Sequence, residues 1–137
     1  MMKNLKLFGL LLIVCLLMTG CFEEKVEEKA PEEKVIQAEM ISYADLNKIV
    51  NDFDNYFNTD VIDVRSIEEY EEGHIKEAIN IPYEDLYDII ISYDREIIIY
   101  GDTSTKSKQA AKDLISLGYK NVKYIAGVNN WTYELVD

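Results

Sequence analysis

The residues from Gly101 to Lys106, which read GDTSTK, have the types and the setting that could do chemistry. An apolar run ends just before them at Tyr100, and a helical pattern starts after them at Ser107. Backbone N–H groups that converge at the start of a helix can bind an anion or surround a nucleophile. The candidate binding groups of this loop are carried by Asp102, Thr103, Ser104, Thr105 and Lys106. The loop contains neither a cysteine nor a histidine.

Polar or small residues also follow two other predicted strands. Asp63 and Arg65 end the run DVIDVR, and Ala126 and Gly127 follow the run NVKYI. The carboxyl ends of parallel strands meet at one edge of a sheet, which is where ligands bind. We therefore expect Asp63 and Arg65 to lie beside the loop, where they either contact a ligand or frame the site.

Apolar periodicity predicts strands that alternate with helices. The predicted strands are 60–65, 78–82, 96–100 and 121–125, and the predicted helices are 42–53, 66–72, 83–91 and 107–119, with a closing helix or turn over 128–137. Ser42 is the expected N-cap of the first helix, and Gly118 is expected to end the last long one. This alternation is typical of an α/β fold with a parallel sheet and helices on both faces.

Residues 1–20 have the layout of a secretory signal. Lys3 and Lys6 precede an uncharged apolar stretch from Leu7 to Met18, and small residues lead into Cys21. A helix that spans a membrane needs about 20 apolar residues, so this stretch is short for an uncleaved anchor, which is the alternative interpretation.

Residues 21–38 are rich in Glu and Lys and are predicted to form an acidic, disordered tether. An exposed helix with Glu–Lys contacts is the alternative. The folded domain is predicted over residues 39–137. Both cysteines, Cys15 and Cys21, precede that domain, so it contains no thiol and no disulfide.

Charge and composition exclude several classes of function. The formal net charge is −12, and loss of Lys3 and Lys6 with the signal would remove two positive charges and make it −14. Nucleic-acid binding needs a basic surface, so it is excluded. His74 is the sole histidine, and no group of side chains has the spacing of a metal site, so no metal and no cofactor are expected. The length predicts one domain, expected to be a monomer.

Two long blocks of this sequence resemble the rhodanese domain in order and spacing. The block VIDVRSIEEYEEGHIKEAINIP is similar to its first half, with an Asp-x-Arg strand end and an Ala-x-Asn-Ile-Pro strand. The block IIIYGDTSTKSKQAAKDLISLGYKNVKYIAGVNNW is similar to its second half, in which a strand enters a six-residue active loop. The resemblance covers about residues 41–131. It implies a three-layer α/β sandwich with about five parallel strands, the extra one being short and near Met40 and Ile41.

The resemblance also implies residue roles. The rhodanese loop begins with the cysteine that accepts sulfur as a persulfide, and Gly101 stands at that position. Glycine has no side chain to carry sulfur, so we expect no catalytic residue and no thiosulfate sulfurtransferase activity. The family pattern further implies that Arg65 pairs with Glu69, that Asp63 bonds toward nearby backbone and that His74 is structural.

The end of the predicted signal, MTGC, is similar to the lipobox of bacterial lipoproteins. That resemblance implies lipidation of Cys21, with palmitate among the acyl chains, and a location on the extracytoplasmic face of the cell membrane. Several acyl chains would anchor the protein firmly.

The sequence thus predicts a membrane-anchored, rhodanese-like binding module without sulfurtransferase activity. A protein partner or a small anion is expected at the Gly101–Lys106 loop, beside Asp63 and Arg65. The main alternative is an enzyme that acts with a partner's thiol. Two further alternatives are a phosphatase-like reaction through Asp102 or Ser104 and a structural role in the cell envelope. The loop could also be a solvated turn in which Ser104 or Thr105 caps the helix. The ten tyrosines are either packed at the edges of the core or, as a cluster near the loop with Trp131, form a peptide-binding patch.

Overall fold

The computed structural model describes residues 36–137. The expectations for the signal peptide, Cys21 and nearly all of the tether lie outside these residues. Among the described residues, no helix combines the length and the apolar character that crossing a membrane requires.

The described chain folds into a five-stranded, wholly parallel sheet with helices on both faces, as the sequence predicted. The strands are β1 (Glu39–Met40), β2 (Thr59–Asp63), β3 (Ala78–Asn80), β4 (Glu96–Tyr100) and β5 (Val122–Tyr124). The helices are α1 (Tyr43–Val50), α2 (Phe53–Tyr56), α3 (Ile67–Glu71) and α4 (Ser104–Ser116), with 3₁₀ turns at Tyr83–Asp88 and Val128–Asn130. The strand order is β1-β5-β4-β2-β3.

Strand β4 lies at the centre of the sheet, and its side chains alternate between two cores. Ile97 and Ile99 pack on one face with Leu114 of α4, whereas Ile98 packs on the other with Leu46 of α1. All five of these side chains are fully buried. This explains why EIIIY is apolar throughout: a central parallel strand is covered on both faces.

Helix α4 begins three residues earlier than the sequence predicted. The Thr103 side chain accepts a hydrogen bond from the N–H of Lys106 and is the N-cap, so Ser104 opens the helix. The prediction that Ser104 or Thr105 caps this helix was therefore wrong. As a consequence, the six-residue loop shrinks to Gly101–Thr103, and Ser104–Lys106 form the first helical turn.

Two other predicted helices are shorter than the periodicity suggested. The segment 83–91 forms only a 3₁₀ turn over Tyr83–Asp88, and Ile90 is 99% exposed instead of packing inward. The run Ile89–Ile91 is β-branched, which disfavours a helix. The first predicted helix ends at Val50, and Asp52 caps a separate α2 in which Phe53 is exposed.

The remaining boundaries differ by a few residues. The strand predicted at 60–65 begins one residue earlier and ends two residues earlier, and those predicted at 78–82 and 121–125 are shorter. The closing segment forms the turn Val128–Asn130 and an isolated backbone pairing of Val136 with His74. Ser42 caps α1 as predicted. Gly118 follows α4 with a φ of +103°, and the N–H of Tyr119 then bonds back to Leu114. A glycine fits this helix ending because a Cβ would oppose the positive φ.

Candidate functional site

The loops that follow β2 and β4 meet where the winding of the sheet changes direction. From β2 the chain crosses to β3 at one edge, and from β4 it crosses to β5 on the other side. Such a switch point leaves a crevice at the carboxyl ends of the two central strands. A cleft of about 500 Å³ lies there. It is lined by Val64, Arg65, Ser66, Glu69, Tyr83, Glu84, Gly101, Asp102, Thr105, Lys106 and Gln109.

The cleft brings together most of the residues that the sequence singled out. Gly101, Asp102, Thr105, Lys106 and Arg65 all line it. The other three predicted site residues do not: Thr103 caps α4, Ser104 begins it, and Asp63 is fully buried.

Asp63 and Arg65 form a pair that frames the cleft. Asp63 Oδ1 accepts the N–H of Arg65, and its carboxylate also accepts Nε at 3.0 Å and Nη2 at 2.5 Å. Nη2 donates in addition to the carbonyl of Gly73. Burial lowers the pKa of Arg65, but the bonds and the charge of Asp63 outweigh it and raise that pKa. Two of the three guanidinium nitrogens, Nε and Nη2, are thus bonded to the scaffold of the site.

The expected pairing of Arg65 with Glu69 was wrong. Glu69 instead accepts the N–H of Ser66, and the Ser66 hydroxyl accepts the N–H of Glu69. This capping box fixes the start of α3. Arg65 turns toward Asp63 because the fully buried carboxylate would otherwise lack a cation.

Asp102 engages two donors near the loop with its own carboxylate. Oδ1 accepts the N–H of Thr103 at 2.8 Å, and Oδ2 accepts Lys106 Nζ at 2.9 Å. Burial would raise the pKa of Asp102, but the hydrogen bond and charge of Lys106, together with backbone N–H groups, hold it below its usual value. Bonding to Asp102 raises the pKa of Lys106, and the charge of Glu69 adds to this. The carboxylate of Asp102 therefore binds the donors that the sequence suggested for an external anion.

Gly101 is buried directly after the C-terminal end of β4, and a hydrogen bond to Ser107 fixes its backbone. The N–H of Gly101 donates to Ser107 Oγ at 3.0 Å, and that hydroxyl donates to the carbonyl of Thr103. A Cβ at Gly101 would lie 3.1 Å from the Cβ of Lys106 and 3.5 Å from Val64 Cγ2. A small side chain would need only a slight shift there. Sequence reasoning missed Ser107 because it reads as an ordinary first-turn residue.

The loop after β5 supports this site from beside it. Gly127 has a φ of +100°, and a Cβ there would come within 2.5 Å of the carbonyl oxygen of Asp102 and 2.6 Å of Thr103 Cα. The N–H of Val128 donates to the carbonyl of Gly101, and that of Asn129 to the carbonyl of Asp102. The residue at 127 must be glycine for the two loops to touch.

Tyr83, Glu84 and Gln109 complete the wall of the cleft, and sequence reasoning missed all three. The Tyr83 hydroxyl donates to Asp113 Oδ2 at 2.5 Å, and Gln109 Nε2 donates to Oδ1 of the same carboxylate. The hydrogen bond to Asp113 raises the pKa of Tyr83 to about 12. These residues come from the 3₁₀ turn and the second turn of α4, and no local pattern marks them.

His74 and Trp131 lie apart from the cleft lining. The His74 ring stacks on Tyr70 with centroids 3.7 Å apart, and its backbone pairs with that of Val136. This setting agrees with the structural role inferred for His74. Trp131 packs edge-on between Tyr43 and Tyr133 and lines a different depression. Within residues 36–137, no group of three or more potential ligands is arranged to hold a metal ion.

The sequence model of the rhodanese-like domain matches residues 43–134 of this chain. A probable molybdopterin-synthase adenylyltransferase of Porphyra purpurea is 33% identical over 82 residues, which are 57% of this chain and 22% of that protein. A putative sulfur carrier protein, YrkF, of Bacillus subtilis is 28% identical over 107 residues, 76% of this chain and 58% of that protein. The chain thus spans about a fifth of the first of these relatives and less than two thirds of the second.

A solved structure also resembles this chain. The crystal structure of a rhodanese-related protein from Thermoplasma volcanium has a TM-score of 0.59 and 28% sequence identity. The match covers 72% of this chain and 97% of that one.

Proposed function

The chain belongs to the rhodanese-like family, and we propose that it is a membrane-anchored binding module of that family that transfers no sulfur itself. Its binding site is the cleft between the Asp63–Arg65 pair and the start of α4. Its ligand is a protein partner that this cleft receives.

The proposal rests on the hydrogen bonds that the donors near the loop already make. A persulfide needs a thiolate that N–H groups stabilise, and Gly101, at the head of the loop, offers no sulfur. The ammonium of Lys106 and the N–H of Thr103 are engaged by the carboxylate of Asp102. A small anion such as thiosulfate would have to displace this built-in carboxylate, so the geometry favours a protein partner over the small anion that the sequence left open.

A second candidate function keeps the chain in sulfur chemistry. Its relatives include a putative sulfur carrier protein, and the chain could receive the persulfide of a partner's cysteine in the cleft. The cleft has room for a side chain, but the Lys106 ammonium and the N–H of Thr103, which would stabilise a persulfide anion, are already bonded to Asp102. We therefore rank this function second.

Persulfide loading tests the proposal. The purified full-length protein is incubated with thiosulfate and analysed by intact mass spectrometry beside a Gly101→Cys variant. We expect no sulfur adduct on the wild-type domain, because its described residues contain no thiol. A Cys15→Ser/Cys21→Ser control removes any signal from the two cysteines that precede the domain. A sulfur adduct on the wild-type protein that survives in this double variant would refute the proposal.

The membrane anchor is the other part of the proposal. It rests on the signal layout of residues 1–20 and on the MTGC sequence that ends at Cys21. The acidic residues that follow, up to residue 38, would act as a spacer. The expected product in a bacterial host is a protein that starts at Cys21, carries acyl chains and partitions into the membrane. A chain that still begins at Met1, or one that starts at Cys21 without acyl chains, would contradict it.

A further inference from the structure

We infer that the cleft receives a cationic side chain, a lysine or an arginine of the protein partner, between Glu69 and Glu84. This inference rests on the proposed function and names the chemistry of its ligand. Three separate observations support it: the charges that line the cleft, the aromatic wall beside them, and the way in which the loop donors are used.

The cations of the cleft are already neutralised. Five charged side chains line it: Arg65, Lys106, Glu69, Glu84 and Asp102. Arg65 is paired with buried Asp63, and Lys106 is paired with Asp102. Each of these pairs has no net charge, so neither is free to attract an anionic ligand.

Two glutamates, Glu69 and Glu84, also line the cleft. Among the ion pairs formed within residues 36–137, none includes Glu69 or Glu84. Glu69 is held at the start of α3 by the capping box through Oε2, so its position is fixed. Its charge acts on the Lys106 ammonium, but that ammonium is bonded to Asp102 and not to Glu69. The cleft therefore carries two unmatched negative charges inside a protein whose net charge is −12. A cation is the complementary ligand.

An aromatic wall stands beside these acids. Tyr83 lines the cleft next to Glu84, and its hydroxyl is tied to Asp113, which Gln109 holds from the other side. A ring that is anchored by its hydroxyl offers its apolar surface at little cost in entropy. Aromatic rings and carboxylates together are the usual surroundings of a bound ammonium or guanidinium group.

The size of the cleft fits this ligand. Its volume of about 500 Å³ is within the usual range of binding clefts and leaves room for one long side chain with its flanking backbone. The methylene groups of lysine or arginine would pack on Val64 and Tyr83, and the charged end would reach the carboxylates.

Peptide binding by the full-length, detergent-solubilised protein tests this inference. The probe is a dye-labelled, capped Gly-Arg-Gly-Arg-Gly peptide, followed by fluorescence anisotropy. The matched probe replaces both arginines by citrulline, which has the same shape and no charge. We expect saturable binding of the arginine peptide, binding at least about tenfold weaker for citrulline, and weaker binding as salt rises.

Charge-neutralising variants locate the site. We expect Glu69→Gln and Glu84→Gln each to weaken the arginine peptide about two- to fivefold. Glutamine also serves at the third position of a capping box, so Glu69→Gln leaves α3 intact. Glu39→Gln, an exposed change on the edge strand β1 and outside the lining of the cleft, alters the net charge equally and should leave binding unchanged.

Three results would overturn the inference: equal binding of the citrulline peptide, equal weakening by all three glutamine variants, or no saturable binding. None of these results bears on persulfide loading, so a failure here is distinguishable from a failure of the proposed function.

Discussion

At the residue scale, two carboxylates with different surroundings organise the cleft. Asp63 is fully buried and holds Arg65 by three hydrogen bonds to its side chain. Asp102 is partly exposed and holds Lys106. The Asp63–Arg65 pair is part of the scaffold. The Asp102–Lys106 pair engages an ammonium that an external anion would otherwise bind.

Replacing Asp63 by asparagine should destabilise the fold strongly. The substitution keeps the size of the side chain but leaves the buried guanidinium of Arg65 without a counter-charge, which costs about 3 kcal/mol. Chemical denaturation measures this free energy of unfolding. Asp88→Asn, at an exposed position without a described ion pair, should change it by less than about 0.5 kcal/mol. Equal effects of the two variants would show that the Asp63–Arg65 pair does not support the scaffold.

The titration of Asp102 should reveal its bond to Lys106. Because the folded-state pKa of Asp102 lies below the ordinary 3.8, its stabilising effect is present above that value and is lost as the pH falls through the lowered pKa. Lys106→Met should raise the pKa of Asp102, which NMR of the side-chain carboxyl carbon measures. The loss of stability in this variant should be seen near neutral pH and should shrink below about pH 4.

The control for this titration is Lys112→Met, which removes an exposed lysine of the same helix. It should leave the midpoint of Asp102 unchanged. A midpoint at or above 3.8 in the wild-type protein would mean that Asp102 is free, and the loop donors would then be open to an anion.

At the element scale, the site depends on contact between two loops. The loop after β5 touches the loop after β4 at Gly127, where backbone meets backbone. Gly127→Ala should therefore cost more than strain in φ alone, and we expect it to exceed Gly118→Ala by at least about 1 kcal/mol in unfolding free energy.

Gly118 is the matched control because its φ of +103° nearly equals that of Gly127, while a Cβ there would meet only the Tyr93 ring at 3.6 Å. The difference between the two variants isolates the cost of the loop contact. Equal losses of stability would mean that the two loops part easily, and that β5 does not hold the site in shape.

Elements with strong local signals could be predicted from the sequence. The all-apolar EIIIY identified the central strand, and Ser42 identified the start of α1. The start of α4 could not be placed, because Thr103, Ser104 and Thr105 are all acceptable N-caps and only the folded loop selects among them. The segment 83–91 has apolar residues at helical spacing, which is why a helix was predicted there. The helix did not form, because the β-branched residues at the end of the segment disfavour it.

At the scale of the whole molecule, the parallel topology determines which residues meet. The two strand ends with polar residues could be placed together from the sequence, because all carboxyl ends of a parallel sheet share one edge. Tyr83, Glu84 and Gln109 could not be assigned to the site, since they reach it through packing of a 3₁₀ turn on α4. The pairing of Arg65 with Asp63 was also missed. Asp63 is fully buried and therefore needs a cation, and the sequence does not show this burial.

The central claim, that this rhodanese-like domain binds without transferring sulfur, is tested most directly by thiocyanate formation from thiosulfate and cyanide. The wild-type full-length protein is compared with a reaction that lacks protein and with the Cys15→Ser/Cys21→Ser double variant. The account predicts that all three rates are the same, because the domain has no thiol and Asp102 engages the N–H of Thr103 and the ammonium of Lys106. Wild-type turnover above the protein-free rate that persists in the double variant would contradict it.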